Sequence, residues 1–278
     1  MKVYRFQRGI AVEKGRRFYL FNNRNWDEFV NRDDLYAFLE RETEGAEPIP
    51  DAVELLDKEL LAPAQSQEIW ASGVTYYRSR EARMEEAKDA GGGDFYDRVY
   101  AAERPELFFK SPAYRAVPSG GKVRIRKDST WNVPEPELTL FMTSGGKIVG
   151  YTIGNDMSSR SIEGENPLYL PQAKTYDGSA ALGPCLYVPG KPLPPETLIT
   201  LEITRKGQSV FSDSIPISQM KRGHEELAGF LFRELSFPHG CYLMTGTGII
   251  PPNDFTLLSG DTVRIGIEGI GWLVNVVE

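Results

Sequence analysis

Trp131-Asn132-Val133-Pro134-Glu135-Pro136-Glu137-Leu138 runs directly into the apolar stretch Leu138–Met142. After Ser144-Gly145-Gly146-Lys147 the chain continues through Ile148–Ile153 into Gly154-Asn155-Asp156. Two apolar runs on either side of a glycine turn predict an antiparallel hairpin. Glu135 and Glu137 stand two apart, so in extended backbone both side chains leave the same face. Pro136 between them holds the chain extended and removes an amide donor. The returning strand carries Asp156 back toward the glutamates. Two readings of the glutamate pair stand. It is either a solvated loop or part of a cation site, because adjacent carboxylates repel unless a proton or a cation lies between them. Three carboxylates without a partnering histidine describe a hard-cation site for Mg²⁺, Mn²⁺ or Ca²⁺. His224 and His239 are the only histidines; a histidine-rich zinc site is disfavoured, and both read as structural or surface residues.

Outward from this hairpin, residues 66–278 read as strands separated by Gly and Pro turns. Further strand candidates are Ala181–Val188, Leu198–Thr204 and Thr262–Ile267, and Glu225–Leu235 carries Leu227, Phe230, Leu231 and Leu235 at helical spacing. Regular strand–helix alternation is missing, so the expectation is a mostly β fold with some α, a mixed β-sandwich roll rather than a doubly wound sheet. Upstream, Val3–Phe6 and Arg17–Phe21 alternate like strands around the turn Glu13-Lys14-Gly15. Asp33-Asp34 then opens a helix with Leu35, Phe38 and Leu39 on one face. Pro48, Pro50 and Pro63 punctuate the chain after that helix, which places a small α+β amino-terminal domain at 1–65 and a larger catalytic domain at 66–278. Segment 78–100 is a charged helical run followed by Gly91-Gly92-Gly93. It reads either as a surface helix with a flexible loop or as a lid hinged at the glycines.

Composition narrows the function classes. With 32 Lys and Arg against 39 Asp and Glu, the net charge is −7, and no long basic run offers a footprint for nucleic acid or an anionic membrane. The amino terminus lacks the apolar core of a signal peptide, and no apolar run reaches membrane-spanning length. Cys185 and Cys241, both flanked by apolar residues, read as buried reduced thiols, which points to the cytoplasm.

These motifs together resemble the fumarylacetoacetate hydrolase superfamily. The resemblance rests on Glu135-Pro136-Glu137, Gly154-Asn155-Asp156-Met157-Ser158-Ser159-Arg160, Lys174 with Asp177-Gly178 and Gly183-Pro184, Leu243-Met244-Thr245-Gly246-Thr247-Gly248, and Gly260-Asp261. It implies a mixed β-roll and a Glu/Glu/Asp site for Mg²⁺ or a similar ion. It also implies a 2-oxo acid substrate chelated through carboxylate and keto oxygens, and a homodimer or higher homo-oligomer. The hydrolases of that superfamily carry Gly-x-Asn-Tyr-x-x-His, whose histidine helps activate water. Here the matching segment is Gly73-Val74-Thr75-Tyr76-Tyr77-Arg78-Ser79, with Ser79 in the histidine's place. A serine cannot serve as that base near neutral pH.

Arg104-Pro105-Glu106-Leu107-Phe108-Phe109-Lys110 and Asn166-Pro167-Leu168-Tyr169-Leu170-Pro171-Gln172-Ala173-Lys174 resemble a histidine-free branch. That branch dehydrates 2-keto-3-deoxy pentonates, such as 2-dehydro-3-deoxy-D-arabinonate, to 2,5-dioxopentanoate. The resemblance implies that Glu106 transfers protons and that Lys174 is a polar partner of the site. Ser79, Arg83, Arg160 and Thr247 are candidate substrate contacts, with Arg78 a further one, since arginine forks suit a substrate carboxylate. Surface positions for Glu106 and the arginines, and a structural Lys174, remain open at this level. So do two other activities, a carbon–carbon hydrolase or decarboxylase of related 2-oxo acids and a 2-oxo acid binding protein without turnover.

Overall fold

The expected hairpin forms. In a computed structural model that describes residues 1–50, 56, 59–78 and 99–278, strand Pro136–Met142 pairs antiparallel with Ile148–Asp156, with Leu138 opposite Ile153 and Glu137 opposite Gly154. The turn closes through Thr143 and Lys147, with Gly146 at φ 79°.

Among the described residues this hairpin sits inside a ten-stranded mixed sheet. From one edge the order is Arg17–Asn22, Gly9–Lys14, Lys2–Phe6, Ala180–Tyr187, Ile148–Asp156, Pro136–Met142, Cys241–Met244, Glu68–Gly73 and Glu106–Pro112, with Leu60–Leu61 paired to Lys2–Phe6. A five-stranded sheet, Gln208–Pro216, Leu198–Arg205, Thr262–Ile267, Gly271–Val277 and Lys122–Val123, packs against it. The architecture is mostly β with mixed sheets.

The period of two along Pro136–Met142 explains the layering. Leu138, Leu140 and Met142 face the second sheet and pack with Ile199, Leu201, Ile203, Ile265 and Leu273. Phe141 faces the other way, into a core built with Trp26, Phe29 and Val30 of helix Trp26–Val30 and Leu35 and Leu39 of helix Leu35–Glu44. Both layers thus depend on one strand with apolar residues of both parities. Glu137 shares Phe141's parity and lies where the strand runs out beyond that second core.

The amino-terminal reading changes in one respect. Two hairpins form rather than one, because Gly9–Lys14 is itself a strand, paired to Lys2–Phe6 on one side and Arg17–Asn22 on the other. Gly15 and Arg16, at φ 57° and 66°, make the two-residue turn whose twist suits a tight hairpin. These strands continue the large sheet through Lys2–Phe6 against Ala180–Tyr187. The carboxyl-terminal helix covers His224–Leu231 rather than reaching Leu235. The chain leaves helical geometry at Phe232, whose ring packs on Phe237 at 4.9 Å. No helix among the described residues is long and apolar enough to cross a membrane.

Candidate metal centre and its cleft

Glu135, Glu137 and Asp156 converge. Each is at least 96% buried, and they offer carboxylate oxygens that all lie within 4.8 Å of one another. The hairpin is the cause: Asp156 N–H donates to the Glu135 carbonyl at 3.0 Å, one step beyond the Asn155–Pro136 pair. Beyond the triad the two chains stay together, with Asn132–Val133 paired to Ser158–Ser159.

Two of the three carboxylates have side-chain cations. Glu135 Oε1 accepts from Arg160 Nη2 at 2.7 Å and Oε2 from Lys174 Nζ at 2.8 Å. Lys174 Nζ also donates to Asp156 Oδ2 at 3.0 Å and Ser158 Oγ at 2.6 Å. With three donors spent on three acceptors and no solvent exposure, the Lys174 side chain has one orientation. It comes from the last turn of helix Leu170–Lys174. Asp156 Oδ1 pairs with Lys110 Nζ at 2.5 Å.

Glu137 differs. Its Oε2 accepts the Gly246 N–H at 2.6 Å, but among the described residues it has no ion pair. Burial, then repulsion from Asp156 and Glu135, pushes its carboxyl well above the usual carboxylate range, against a smaller pull from Lys174. A buried carboxylate in this position needs a proton or an external cation. The site therefore fits a divalent ion on its own chemistry: three oxygen ligands, no nitrogen or sulfur, and one carboxylate lacking a protein counter-charge.

The cleft over the triad is lined by Gly73, Phe108, Arg160, Lys174, Gly246 and Thr247, among others. Gly246 approaches so closely, at φ 92°, that a Cβ there would meet Thr75 Oγ1; only glycine lets the N–H reach Glu137. Thr247 is 4% exposed, and its hydroxyl is engaged with Ile249. Glu106 opens strand Glu106–Pro112 opposite Gly73. Its carboxylate lies over Gly73 where a Cβ would stand, and its Oε2 is buried with no hydrogen-bond partner among the described residues.

Glu106, Glu135, Glu137, Asp156, Arg160, Lys174 and Thr247 thus gather at or beside one cleft. Arg78 does not; it is exposed and pairs with Asp213 at 3.0 Å. Ser79, Arg83 and most of the segment read as a lid lie outside the described residues. His224 packs near the Tyr151 ring, where burial pulls its imidazole down, and His239 sits 3.8 Å from Asp27. Neither lines the cleft. Cys185 and Cys241 are buried free thiols, and burial pushes Cys185 up to about 12. Sequence reasoning assigned no role to Lys110 or Ser158. A lysine after two phenylalanines was a signal for Lys110, but it fits a surface position equally well.

The family model "Fumarylacetoacetate (FAA) hydrolase C-terminal" matches residues 69–278. A relative from Haloferax volcanii, described as a probable 2-keto-3-deoxyxylonate dehydratase, is 45% identical over 236 residues, 84% of this chain and 80% of its own. The 2-dehydro-3-deoxy-D-arabinonate dehydratase of Saccharolobus solfataricus is 42% identical over 224 residues, 80% of this chain and 75% of its own. A solved structure of 2-keto-3-deoxy-D-arabinonate dehydratase complexed with magnesium and 2,5-dioxopentanoate matches with a TM-score of 0.85 at 33% identity. That match covers 100% of this chain and 99% of the other.

Proposed function

The chain belongs to the fumarylacetoacetate hydrolase family, and from that membership we propose a Mg²⁺-dependent hydro-lyase that converts a 2-keto-3-deoxy pentonate to 2,5-dioxopentanoate. The observation that carries the reading is a three-carboxylate cleft whose neighbouring base is a glutamate, in a chain whose two histidines both lie elsewhere. The dehydratase relatives and the magnesium- and product-bound neighbour support it. A keto group at C2 and a methylene at C3 leave C4 as the single stereocentre, so D-xylonate and D-arabinonate give the same 2-keto-3-deoxy acid.

Glu135, Glu137 and Asp156 would hold the ion, with Mn²⁺ or Ca²⁺ as alternatives. When bound it would act as a Lewis acid on the 2-oxo acid and acidify C3. Glu106 then takes a C3 proton. Its buried oxygen, unpartnered among the described residues, suits the role, since a carboxylate engaged in an ion pair would be a weaker base. Hydroxide leaves C4 with a proton as water, and a C3=C4 double bond remains. Loss of a proton from C5 and return of one to C3 move the double bond to C4=C5, giving the enol of the C5 aldehyde. That enol ketonises to 2,5-dioxopentanoate. Lys174 keeps a positive charge beside the carbonyl end of the substrate and orients two of the three ligands. Arg160, Thr247, Ser79 and Arg83 are the proposed substrate contacts.

The reading places catalysis in residues 66–278, with 1–65 as a smaller unit whose strands extend the same sheet. A cytoplasmic setting is supported by the two free thiols, and a homo-oligomer is the expectation carried by the family resemblance.

The test is incubation of the purified protein and Mg²⁺ with 2-keto-3-deoxy acids of four to six carbons. A five-carbon product 18 mass units lighter than its substrate is expected, formed only with metal. A product with fewer carbons would instead assign a hydrolase or decarboxylase, and tight binding without product a binding protein.

A further inference from the structure

Lys110 stands outside the ligand set, yet it meets the site from behind. Its side chain has no solvent exposure. It lies at an irregularity in strand Glu106–Pro112: Ile69 pairs with Ser111 and Trp70 with Phe109, which leaves Lys110 unmatched. An extra residue of this kind breaks the alternation of faces and re-aims side chains. Lys110 and Ser111, consecutive in sequence, are accordingly both buried.

The ammonium pairs with Asp156 Oδ1 at 2.5 Å, donates to the Met157 carbonyl at 3.0 Å and donates to the Lys174 carbonyl. Two hydrogen bonds to backbone carbonyls and one ion pair therefore hold it from three sides. Those acceptors are the last residue of the strand that carries Asp156, the residue just after it, and the last residue of the helix that carries Lys174. Lys110 itself shares a strand with Glu106. One side chain thus ties the strand of the base to a carboxylate of the triad and to the backbone beneath Lys174.

Stability alone does not call for a charge here. Burying an ammonium costs several kcal/mol before pairing, and a hydrocarbon of similar volume commonly serves a fold as well or better. We propose that Lys110 is a positioning residue, which sets the direction of the Asp156 carboxylate and the placement of Lys174 so that the triad can take a divalent ion. The inference rests on the metal-site reading above.

Electrostatics and positioning predict opposite signs when Lys110 is replaced, which makes the test decisive. Removing a cation from beside the triad would by itself strengthen attraction for a divalent ion. Losing the placement of Asp156 would weaken binding, on the order of 10–100-fold for a residue that orients a ligand. Metal-free wild type and Lys110→Met are titrated with Mn²⁺, with free Mn²⁺ followed by its electron paramagnetic resonance signal and near-ultraviolet circular dichroism as the fold check. The expected result is Mn²⁺ affinity lowered at least about 10-fold in Lys110→Met. Unchanged or tighter Mn²⁺ binding overturns the inference. Should Lys110→Met fail to fold, the same comparison is made with Lys110→Gln, whose amide can still donate to the two carbonyls. If wild type itself binds no Mn²⁺, the metal-site reading is what fails.

Discussion

Replacing Glu137 with glutamine is expected to stabilise the metal-free protein and to abolish its response to Mg²⁺. Glu137 has two carboxylates with oxygens within 4.8 Å. At an effective dielectric constant of about 20, each such pair repels by roughly 3.5 kcal/mol. Holding a carboxyl of ordinary value 4.5 protonated at pH 7 costs about 1.4 kcal/mol per pH unit, or about 3 kcal/mol in all. Lys174 offsets part of the repulsion and burial adds to it, so without metal the carboxyl is raised well above its ordinary range. The sign comes from linkage. A carboxyl raised in the folded state gives stability that is complete below 4.5 and lost as pH rises through its raised value. Glutamine does not titrate, so the variant's advantage should be near zero at pH 4.5 and grow with pH. Its ceiling at pH 7, set by the ordinary value of 4.5, is about 3 kcal/mol, or a melting temperature higher by no more than about 10 °C. Thermal melts of both proteins in chelator from pH 5 to 8 measure this. Mg²⁺ at 100 times Kd should then add about 2.7 kcal/mol to wild type and little to the variant. A metal-free variant less stable than wild type at pH 7, or an advantage that does not widen with pH, would refute the reasoning.

Glu106→Gln should keep Mn²⁺ and substrate affinity while kcat drops roughly 10²-fold or more, because the amide keeps the shape but cannot accept the C3 proton. Single-turnover kinetics with separate binding titrations check this, and a fully active variant would remove Glu106 from the mechanism. Gly73→Ala places a methyl where the Glu106 carboxylate lies. A displacement of about 1 Å there should cost up to 10²-fold in kcat, with metal affinity unchanged. The double variant should lose no more than Glu106→Gln alone, since both act through one carboxylate; additive losses would separate them.

The sequence carried the hairpin and, with it, the convergence of the three carboxylates. Its signals were local: alternation of apolar residues, a glycine turn, and two glutamates held on one face by the spacing of two. These sufficed to bring Asp156 back beside Glu135, because antiparallel pairing across a short turn fixes which residues face each other. The second amino-terminal hairpin was less legible, since Gln7-Arg8 lacks the residues that mark a turn. The helix end at Phe232 was equally hidden, because no glycine or proline stands between Leu231 and Phe237 to mark it.

What tertiary structure alone decided is the charge environment of the triad. Arg160 and Lys174 reach Glu135 from 25 and 39 residues away, and Gly246 reaches Glu137 from 109 residues away. No period or turn in the sequence encodes those meetings. Lys110 shows the reason most clearly. Strand alternation assigns it a face, and an unmatched residue in the pairing with Glu68–Gly73 reassigns it. Residue types and local spacing determined that three carboxylates would converge. The register of neighbouring strands and the packing of helix Leu170–Lys174 determined which of them would have a side-chain cation among the described residues and which would not.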